Sequence, residues 1–229
     1  MSPSDAQLPA APQRKAGTGL TARLRQGYKG QTQQSTLERV MQDWREVRRW
    51  TRDEMLNRVA RFKDLKGSDG GLPDSDVPEC RRTLYNVIGF QPPKDRASDA
   101  ATSPVGDDAS NMAAIAISEG FNLGYCRAKP GKGPLMHNHD TNETFIAMTG
   151  RWRCEWNEGS DMEYVDLEPL DVISFPVGVA RRFMNVTYDE PDREHILMFV
   201  IGGNEPQAEF TPAAMQRCET WQAQKAQTR

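Results

Sequence analysis

Two of the three histidines of this 229-residue chain stand one residue apart, at His137 and His139, and Glu143 follows four residues later. In an extended strand, side chains alternate between faces, so positions two apart point to the same side. Glu143 has the same parity and follows a small polar turn at residues 140–142. Two imidazoles and one carboxylate suit a non-haem Fe(II) centre and also Mn, Ni or Zn. The spacing therefore predicts a divalent metal site held by His137, His139 and Glu143.

Short β-prone segments surround these residues, and glycines bracket them. Gly131 is predicted to turn the chain into the first strand, and Gly150 to form a turn that needs a positive φ. Many short strands separated by turn signals are typical of a β-sandwich or barrel, of which the jelly roll is one form. The other predicted strands cover residues 83–88, 113–118, 121–128, 152–156, 164–167, 172–175, 182–186 and 195–201.

The segment before the barrel has a helical pattern. Capping-box sequences begin at Ser35 and Thr51, and apolar residues follow each at helical spacing, which predicts amphipathic helices over 36–50 and 52–65. The predicted divisions are a mobile tail (1–34), a helical extension with one added strand and a loop (35–110), a barrel (111–205) and a C-terminal helix or tail (206–229).

Composition narrows the class of protein. With 37% hydrophobic and 27% charged residues the chain is expected to be a globular protein. No apolar run is long enough to span a membrane, and no secretory signal is seen, so a cytoplasmic location with four reduced cysteines is expected. The amino-terminal third is basic, but no recognition motif accompanies the charge. Nucleic acid is therefore not an expected partner, and a DNA-binding head is the weakest hypothesis.

A second stretch, residues 170–185, completes a pair of motifs that resembles those of a known family. The two stretches together resemble the cupin superfamily, whose first motif, G(X)5HXH(X)3,4E(X)6G, is met at every defined position by Gly131, His137, His139, Glu143 and Gly150. The second motif, G(X)5PXG(X)2H(X)3N, is met at Pro176, Gly178 and Asn185, but Leu170 and Arg181 replace its glycine and its histidine. The resemblance covers about residues 112–203. It implies a mainly β, jelly-roll barrel, here with a helical N-terminal extension, and it implies no single activity.

Arg181 replaces the residue that completes a three-histidine, one-glutamate ligand set in metal-binding cupins. An arginine remains protonated and has no lone pair to give, so it is not a fourth ligand. Two arrangements remain open. Either the three other ligands hold the metal and Arg181 binds an anionic substrate beside it, or the guanidinium disfavours the metal and pairs with Glu143.

The candidate substrate-binding residues are Arg181, Tyr125, Trp152 and Phe183, although a barrel interior needs aromatic filling in any case. His195 is either a replacement ligand or a structural histidine. Two functions are weighed: a metal-dependent enzyme, such as a dioxygenase acting on an organic acid, or a non-catalytic ligand-binding or sensory cupin without metal. A small, anionic ligand and a homodimer paired through sheet edges are the expected partners.

Overall fold

The computed structural model describes residues 47–107 and 112–228. The chain divides into two compact units, 1–50 and 51–229. Of the first unit only residues 47–50 are described, and they have no regular secondary structure. The predicted helix over 36–50 otherwise lies outside the described residues. The architecture below is that of the second unit.

The helix predicted over 52–65 is much shorter in the structure. Helix α1 covers Arg52–Leu56, and a separate 3-10 turn follows at Phe62–Asp64. The predicted capping box is confirmed, because the backbone N–H of Glu54 donates to the Thr51 hydroxyl and the Glu54 carboxylate accepts from the Thr51 backbone N–H. Met55 is largely exposed, so the apolar stripe is not buried along its length. Without burial of that stripe, a short helix is not extended.

Eleven strands form two antiparallel sheets in the described part of the chain. The six-stranded sheet has the order β1-β2-β3-β10-β5-β8, and the five-stranded sheet has the order β11-β4-β9-β6-β7. The strands are β1 (Gly67–Ser68), β2 (Thr83–Ile88), β3 (Phe121–Ala128), β4 (His137–His139), β5 (Glu143–Ala147), β6 (Trp152–Trp156), β7 (Glu163–Leu167), β8 (Val172–Phe175), β9 (Arg181–Asn185), β10 (His195–Gly202) and β11 (Ala208–Phe210).

This arrangement confirms the predicted mainly β, two-sheet fold. One predicted strand, over 113–118, is wrong: only Ile115 forms an isolated bridge, with Ile88. Two elements close the chain: β11, which was not predicted and pairs with β4, and the helix α2 over Pro212–Gln227, in the segment 206–229 that was predicted as a helix or tail. Because β2 pairs with β3 and β11 with β4, the sheets include strands on both sides of residues 111–205.

The main core lies between the two sheets, and a smaller cluster lies under α2. Side chains of β10 alternate between buried and partly buried along the whole strand, as expected for a strand with one face on a core. Ala214 and Cys218 of α2 pack in the smaller cluster with Val77, Cys80 and Phe210. Residues of the main core include Leu84, Cys126, Phe145, Trp152, Cys154, Phe183, Leu197 and Phe199.

All four cysteines are buried and free, as predicted. Burial raises the pKa of the Cys126 thiol to about 12, so this thiol remains protonated at neutral pH and behaves as a small apolar group. Among the described residues, no helix has the length and apolar character needed to cross a membrane.

Candidate metal centre

The three candidate ligands come from both sheets. In β4 the two histidines point into the protein and Asn138, between them, points to the other face and is partly exposed. Glu143 is the first residue of β5 in the opposite sheet, so the turn at 140–142 carries the chain from one sheet to the other. One donor atom from each of His137, His139 and Glu143 lies within 4.8 Å of the others. The cluster predicted from the spacing is therefore assembled, and all three side chains are buried.

Both histidines are oriented by hydrogen bonds to backbone carbonyls. The Nδ1 atom of His137 lies 2.8 Å from the carbonyl oxygen of Leu135, and that of His139 lies 3.0 Å from the carbonyl oxygen of Gln207. A carbonyl oxygen only accepts, so each Nδ1 carries a proton, and Nε2 is the atom of each ring that can offer a lone pair. This is the orientation in which a metal-binding histidine is commonly held. His139 Nε2 is buried and has no hydrogen-bond donor among the described residues, although it lies 3.3 Å from Glu143 Oε2.

The protonation states of two of these groups suit a metal. Burial raises the pKa of the Glu143 carboxyl, but the His139 imidazole and the Arg181 guanidinium outweigh it and lower the pKa to about 2. Burial and the neighbouring His139 and Arg181 lower the pKa of His137 to about 4. At neutral pH, Glu143 is therefore ionised and His137 is neutral, the forms that bind a cation.

Arg181 is fully buried beside this cluster. It lies opposite His137 in the β4–β9 ladder, which brings it to the site. Its Nε donates to Glu143 Oε2 at 3.1 Å, and its Nη1 donates to the carbonyl of Val179 at 2.7 Å. Nη2 is buried and has no partner among the described residues. Of the two arrangements that the sequence left open, the structure contains the ion pair between Arg181 and Glu143.

A cavity of about 30 Å³ borders the candidate ligands, roughly the room of one or two water molecules. Apolar side chains form most of its wall, and Phe183, one of the predicted substrate-binding residues, is among them. Arg181, Tyr125 and Trp152 are not. The lining residues are Leu72, Arg82, Leu84, Pro104, Pro134, His137, His139, Glu143, Phe183, Phe199, Ala208 and Phe210.

Tyr125 and Trp152 have other surroundings. In β3 the buried positions are 122, 124, 126 and 128, so Tyr125 points to the opposite face, where its ring centroid lies 5.7 Å from that of Phe62. Trp152 points inward, but it is fully buried in the core and its Nε1 donates to the carbonyl of Thr149 at 2.9 Å. Tyr125 does not line the cavity because the alternation of side chains along β3 turns it to the opposite face. Trp152 does point inward, but the direction of a side chain does not determine how far along the barrel it lies.

His195 is not part of the donor cluster. It is buried, and its imidazole packs against Gly150, where an added Cβ would lie 2.4 Å from the ring. Neither of its nitrogens has a hydrogen-bond partner among the described residues, and the nearest carboxylate, of Glu190, is 3.9 Å away. His195 is therefore not placed as a replacement ligand, and the hydrogen bonds expected of a structural histidine are not made within the described residues. Gly150 has the positive φ that was predicted, 67°.

The residue that sequence reasoning missed is Arg82, which lines the cavity beside the candidate ligands. It is buried and bonded to Asp74, which is itself fully buried. The arginine pair at 81–82, directly before a predicted strand, was the one available signal. Nothing in the local pattern indicates which of the two arginines faces inward.

No family model and no curated protein sequence matches the chain. Solved structures that match include an oxalate decarboxylase from Lactobacillus farciminis in a formate complex, at 13% identity over 65% of this chain and 34% of that one, with a TM-score of 0.41. A vicilin from Capsicum annuum matches at 16% identity over 41% of this chain and 25% of that one, with a TM-score of 0.36. An oxalate oxidase matches at 17% identity over 41% and 47%, with a TM-score of 0.35.

The chain thus spans a quarter to about half of the length of these three proteins. Overlaps of this extent carry no argument about activity. The fold assignment rests on the chain's own two antiparallel sheets and on the first-motif residues that meet between them. By that architecture, the protein has the double-sheet barrel fold of the cupin superfamily.

Proposed function

We propose that the protein is a small-molecule enzyme that holds one divalent metal ion, Fe, Mn, Ni or Zn, with His137, His139 and Glu143. The observation that carries the proposal is the pair of Nδ1 hydrogen bonds to the carbonyls of Leu135 and Gln207. They turn Nε2 of both rings, the atom that can bind a metal, towards a place where an ionised carboxylate also lies. Two histidines and one carboxylate leave open positions on the metal, as in the non-haem iron oxygenases. Dioxygenase-type oxidation of a small organic acid is the reaction we propose.

The residues of the site have distinct roles in this proposal. When bound, the ion supplies a Lewis acid, or an O2-binding centre if it is iron. The carbonyl bonds of the histidines fix their rings and raise their basicity. Arg181 keeps Glu143 ionised and fixes one of its oxygens by the Nε bond. The phenylalanine rings at 183, 199 and 210 keep water from the cavity and restrict its ligand to a small molecule.

One observation favours a second candidate function, a ligand-binding or sensory cupin without metal. The buried guanidinium of Arg181 already neutralises Glu143 at 3.1 Å. A fixed cation next to a three-donor site opposes the entry of a second cation. In this alternative the same cavity binds its ligand directly, and the two histidines are held only by their carbonyl bonds.

Metal content separates the two candidates. Purified protein is reconstituted separately with Fe(II), Mn(II), Ni(II) and Zn(II), and bound metal is measured by mass spectrometry. We expect about one equivalent per chain for at least one metal, and less than about a tenth of that in His137→Ala. Asn138→Ala is the matched control, because its side chain lies on the opposite face of β4. If wild-type protein retains less than about a tenth of an equivalent of every metal, the enzyme proposal is wrong.

A thermal-shift screen then tests the second candidate. A small carboxylic acid that binds the folded state raises Tm, and the stabilisation grows with the logarithm of its concentration once that exceeds Kd. Stabilisation that persists in the double variant His137→Ala, His139→Ala supports binding without metal. Stabilisation that appears only in metal-loaded wild-type protein supports the enzyme.

The proposal includes a homodimer formed through sheet edges. In the described part of the chain, β8 ends the six-stranded sheet and β7 ends the five-stranded sheet, so both present backbone groups for pairing. Tyr164 on β7 and Val172 on β8 are exposed apolar side chains. Light scattering is expected to give twice the chain mass of 25.8 kDa, and Val172→Lys is expected to shift the protein to the monomer. A wild-type monomer at high protein concentration would remove the dimer from the proposal.

A further inference from the structure

Arg82 stands between two cavities. It lines the inner cavity together with the three candidate metal ligands. It also lines an outer groove of about 600 Å³. The side chain is only 4% exposed, so the guanidinium is held inside the protein at the boundary between the two spaces.

The guanidinium of Arg82 has five N–H groups, and three of them are bonded within the protein. Nη1 and Nη2 donate to the two oxygens of Asp74, at 3.1 and 3.0 Å, and Nη1 donates also to the carbonyl of Cys80 at 2.8 Å. Asp74 thus holds the end of the planar group. No described residue accepts a hydrogen bond from Nε or a second one from Nη2. Those two N–H groups share one edge of the plane, with the spacing that binds both oxygens of a carboxylate.

Asp74 fixes this edge in place. The carboxylate is fully buried, and its Oδ2 also accepts from the backbone N–H of Leu135 at 3.0 Å. The carbonyl of the same Leu135 accepts from Nδ1 of His137. One residue therefore connects the support of Arg82 with the support of a candidate metal ligand. A donor pair that is already ordered costs a ligand little conformational entropy on binding.

We infer that the free edge of Arg82 binds the carboxylate of the ligand, which makes short-chain carboxylates the substrate class of the site. The inference rests on the proposed function only in naming this ligand as the substrate. The cavity of about 30 Å³ and its apolar wall at Leu84 and Phe199 select a ligand with a short, apolar remainder. Arg181 does not offer the same edge, because its Nε is bonded to Glu143.

The outer groove supports the approach of an anion. It is lined by ionisable side chains of both signs: Arg81, Arg82, Lys129, Lys132, Asp69, Asp76 and Glu194. Two of its carboxylates are in ion pairs, Asp76 with Lys225 and Glu194 with Arg127, while Asp69 accepts from the neutral hydroxyl of Thr83. The groove therefore offers its basic side chains to an incoming anion, and Arg82 stands at its inner end.

Acetate is the probe that tests the inference. The full-length, metal-free protein is titrated with ¹³C-acetate, and binding is followed by NMR. We expect saturable binding, weakened at least about tenfold in Arg82→Lys, because lysine keeps a charge opposite Asp74 but lacks the planar edge. Arg193→Lys is the matched control: Arg193 is exposed and pairs with Glu190, and its variant is expected to bind acetate as wild type does. Acetamide, which has one neutral carbonyl oxygen in place of a carboxylate, is expected not to compete.

The outcomes are distinct from those of the metal experiment. Unchanged acetate binding in Arg82→Lys, or no binding to wild-type protein, overturns the inference and leaves the metal stoichiometry unaffected. If Arg82→Lys does not fold, the Hε–Nε resonance of Arg82 in the wild-type protein decides instead. Its displacement by acetate is expected, and a resonance that acetate leaves in place overturns the inference. Because the acetate titration uses metal-free protein, a failure of metal reconstitution does not change its result.

Discussion

Two buried arginines face carboxylates inside this barrel, and the two pairs are built differently. Arg82 and Asp74 are joined by two hydrogen bonds that use both carboxylate oxygens. Arg181 reaches Glu143 through Nε alone, and the oxygen that it contacts also lies 3.3 Å from His139 Nε2. Arg181 Nη2 and His139 Nε2 are both buried without a hydrogen-bond partner among the described residues.

This difference indicates that the Arg82–Asp74 pair supports the structure, whereas the Arg181–Glu143 pair belongs to the candidate metal site. The Asp74 pair is satisfied on its carboxylate side and is tied to the backbone at Leu135 and Cys80. The Glu143 pair is only partly satisfied, and two buried nitrogens without hydrogen bonds to described residues lie close to it. Buried polar groups are usually bonded, and exceptions concentrate where a protein has a function. We therefore expect the first pair to control stability and the second to control metal binding.

The largest change in stability is expected when Asp74 is replaced. Asp74→Ala leaves the Arg82 guanidinium buried without its counter-ion, so the free energy of unfolding is expected to fall by about 3–5 kcal/mol. Urea denaturation followed by circular dichroism measures this change. The matched control is Asp166→Ala, which removes the same kind of two-bond contact to Arg153 at the surface and is expected to cost about 0–1 kcal/mol. Equal losses in the two variants would show that Asp74 is no more structural than a surface carboxylate.

The stability of the metal-free protein is expected to fall in acid because of the site. The folded-state pKa of His137 is about 4 and that of Glu143 about 2, both below their ordinary values of 6.5 and 4.5. The folded state therefore binds fewer protons than the unfolded state. The stability that His137 contributes is complete above pH 6.5 and is lost as the pH falls towards 4, and that of Glu143 is lost between 4.5 and 2. Each loss amounts to at most about 3 kcal/mol.

Urea denaturation at a series of pH values measures this dependence. His137→Asn removes the titrating group, so its free energy of unfolding is expected to change less between pH 6.5 and 4 than that of the wild type. If His137→Asn loses stability as steeply as wild type between pH 6.5 and 4, then groups other than His137 cause the acid sensitivity.

Replacement of Arg181 by histidine, which can bind a metal, is expected to have a smaller effect. Arg181→His places a neutral imidazole opposite His137 in the β4–β9 ladder and removes the fixed cation. Zn(II) affinity, measured by competition with a chelator, is expected to rise on the order of tenfold or more. Arg182→His is the control, because Arg182 lies on the other face of β9 and pairs with Glu155. Equal affinities in Arg181→His and wild type would place the metal away from Arg181.

Local periodicity was sufficient to predict the two histidines of the candidate metal centre, whereas Glu143 reaches it through the turn into the opposite sheet. The alternation of strand side chains puts His137 and His139 on one face, and it needs no knowledge of distant residues. The strands at 121–128, 152–156 and 172–175 agree with the structure at both ends for the same reason. Their turn residues and alternating burial are short-range properties of the chain.

What the sequence did not reveal depends on contacts between distant residues. Asp74 accepts from Arg82, eight residues later, and from the backbone N–H of Leu135 beyond two further strands, and no spacing rule joins these positions. The strand β11 is only three residues long and exists because it pairs with β4. The face taken by Tyr125 required the register of β3, which follows from its pairing with β2 and β10.

The smallest effect is expected at Leu170, one of the two residues, with Arg181, that depart from the second cupin-like motif. Its replacement tests whether both departures affect the metal site. Leu170 stands where the motif has glycine; it is 73% exposed and has a φ of 78°. A left-handed backbone costs an L-residue about 1–2 kcal/mol, while glycine loses about 0.5–1 kcal/mol more chain entropy on folding. Leu170→Gly is therefore expected to raise the free energy of unfolding by about 0.5–1 kcal/mol. Its metal content is expected to stay that of wild type, unlike the metal affinity of Arg181→His.

Leu170→Ala separates the backbone from the side chain, because alanine keeps the unfavourable φ and loses the exposed apolar group. If only Leu170→Gly gains stability, then this departure is a backbone cost without a role at the metal centre. If both variants lose stability and the light-scattering mass also falls, the leucine side chain is buried in the dimer instead. The strained backbone would then be retained for the sheet-edge contact beside β8, and Arg181 would be the one departure that acts on the site.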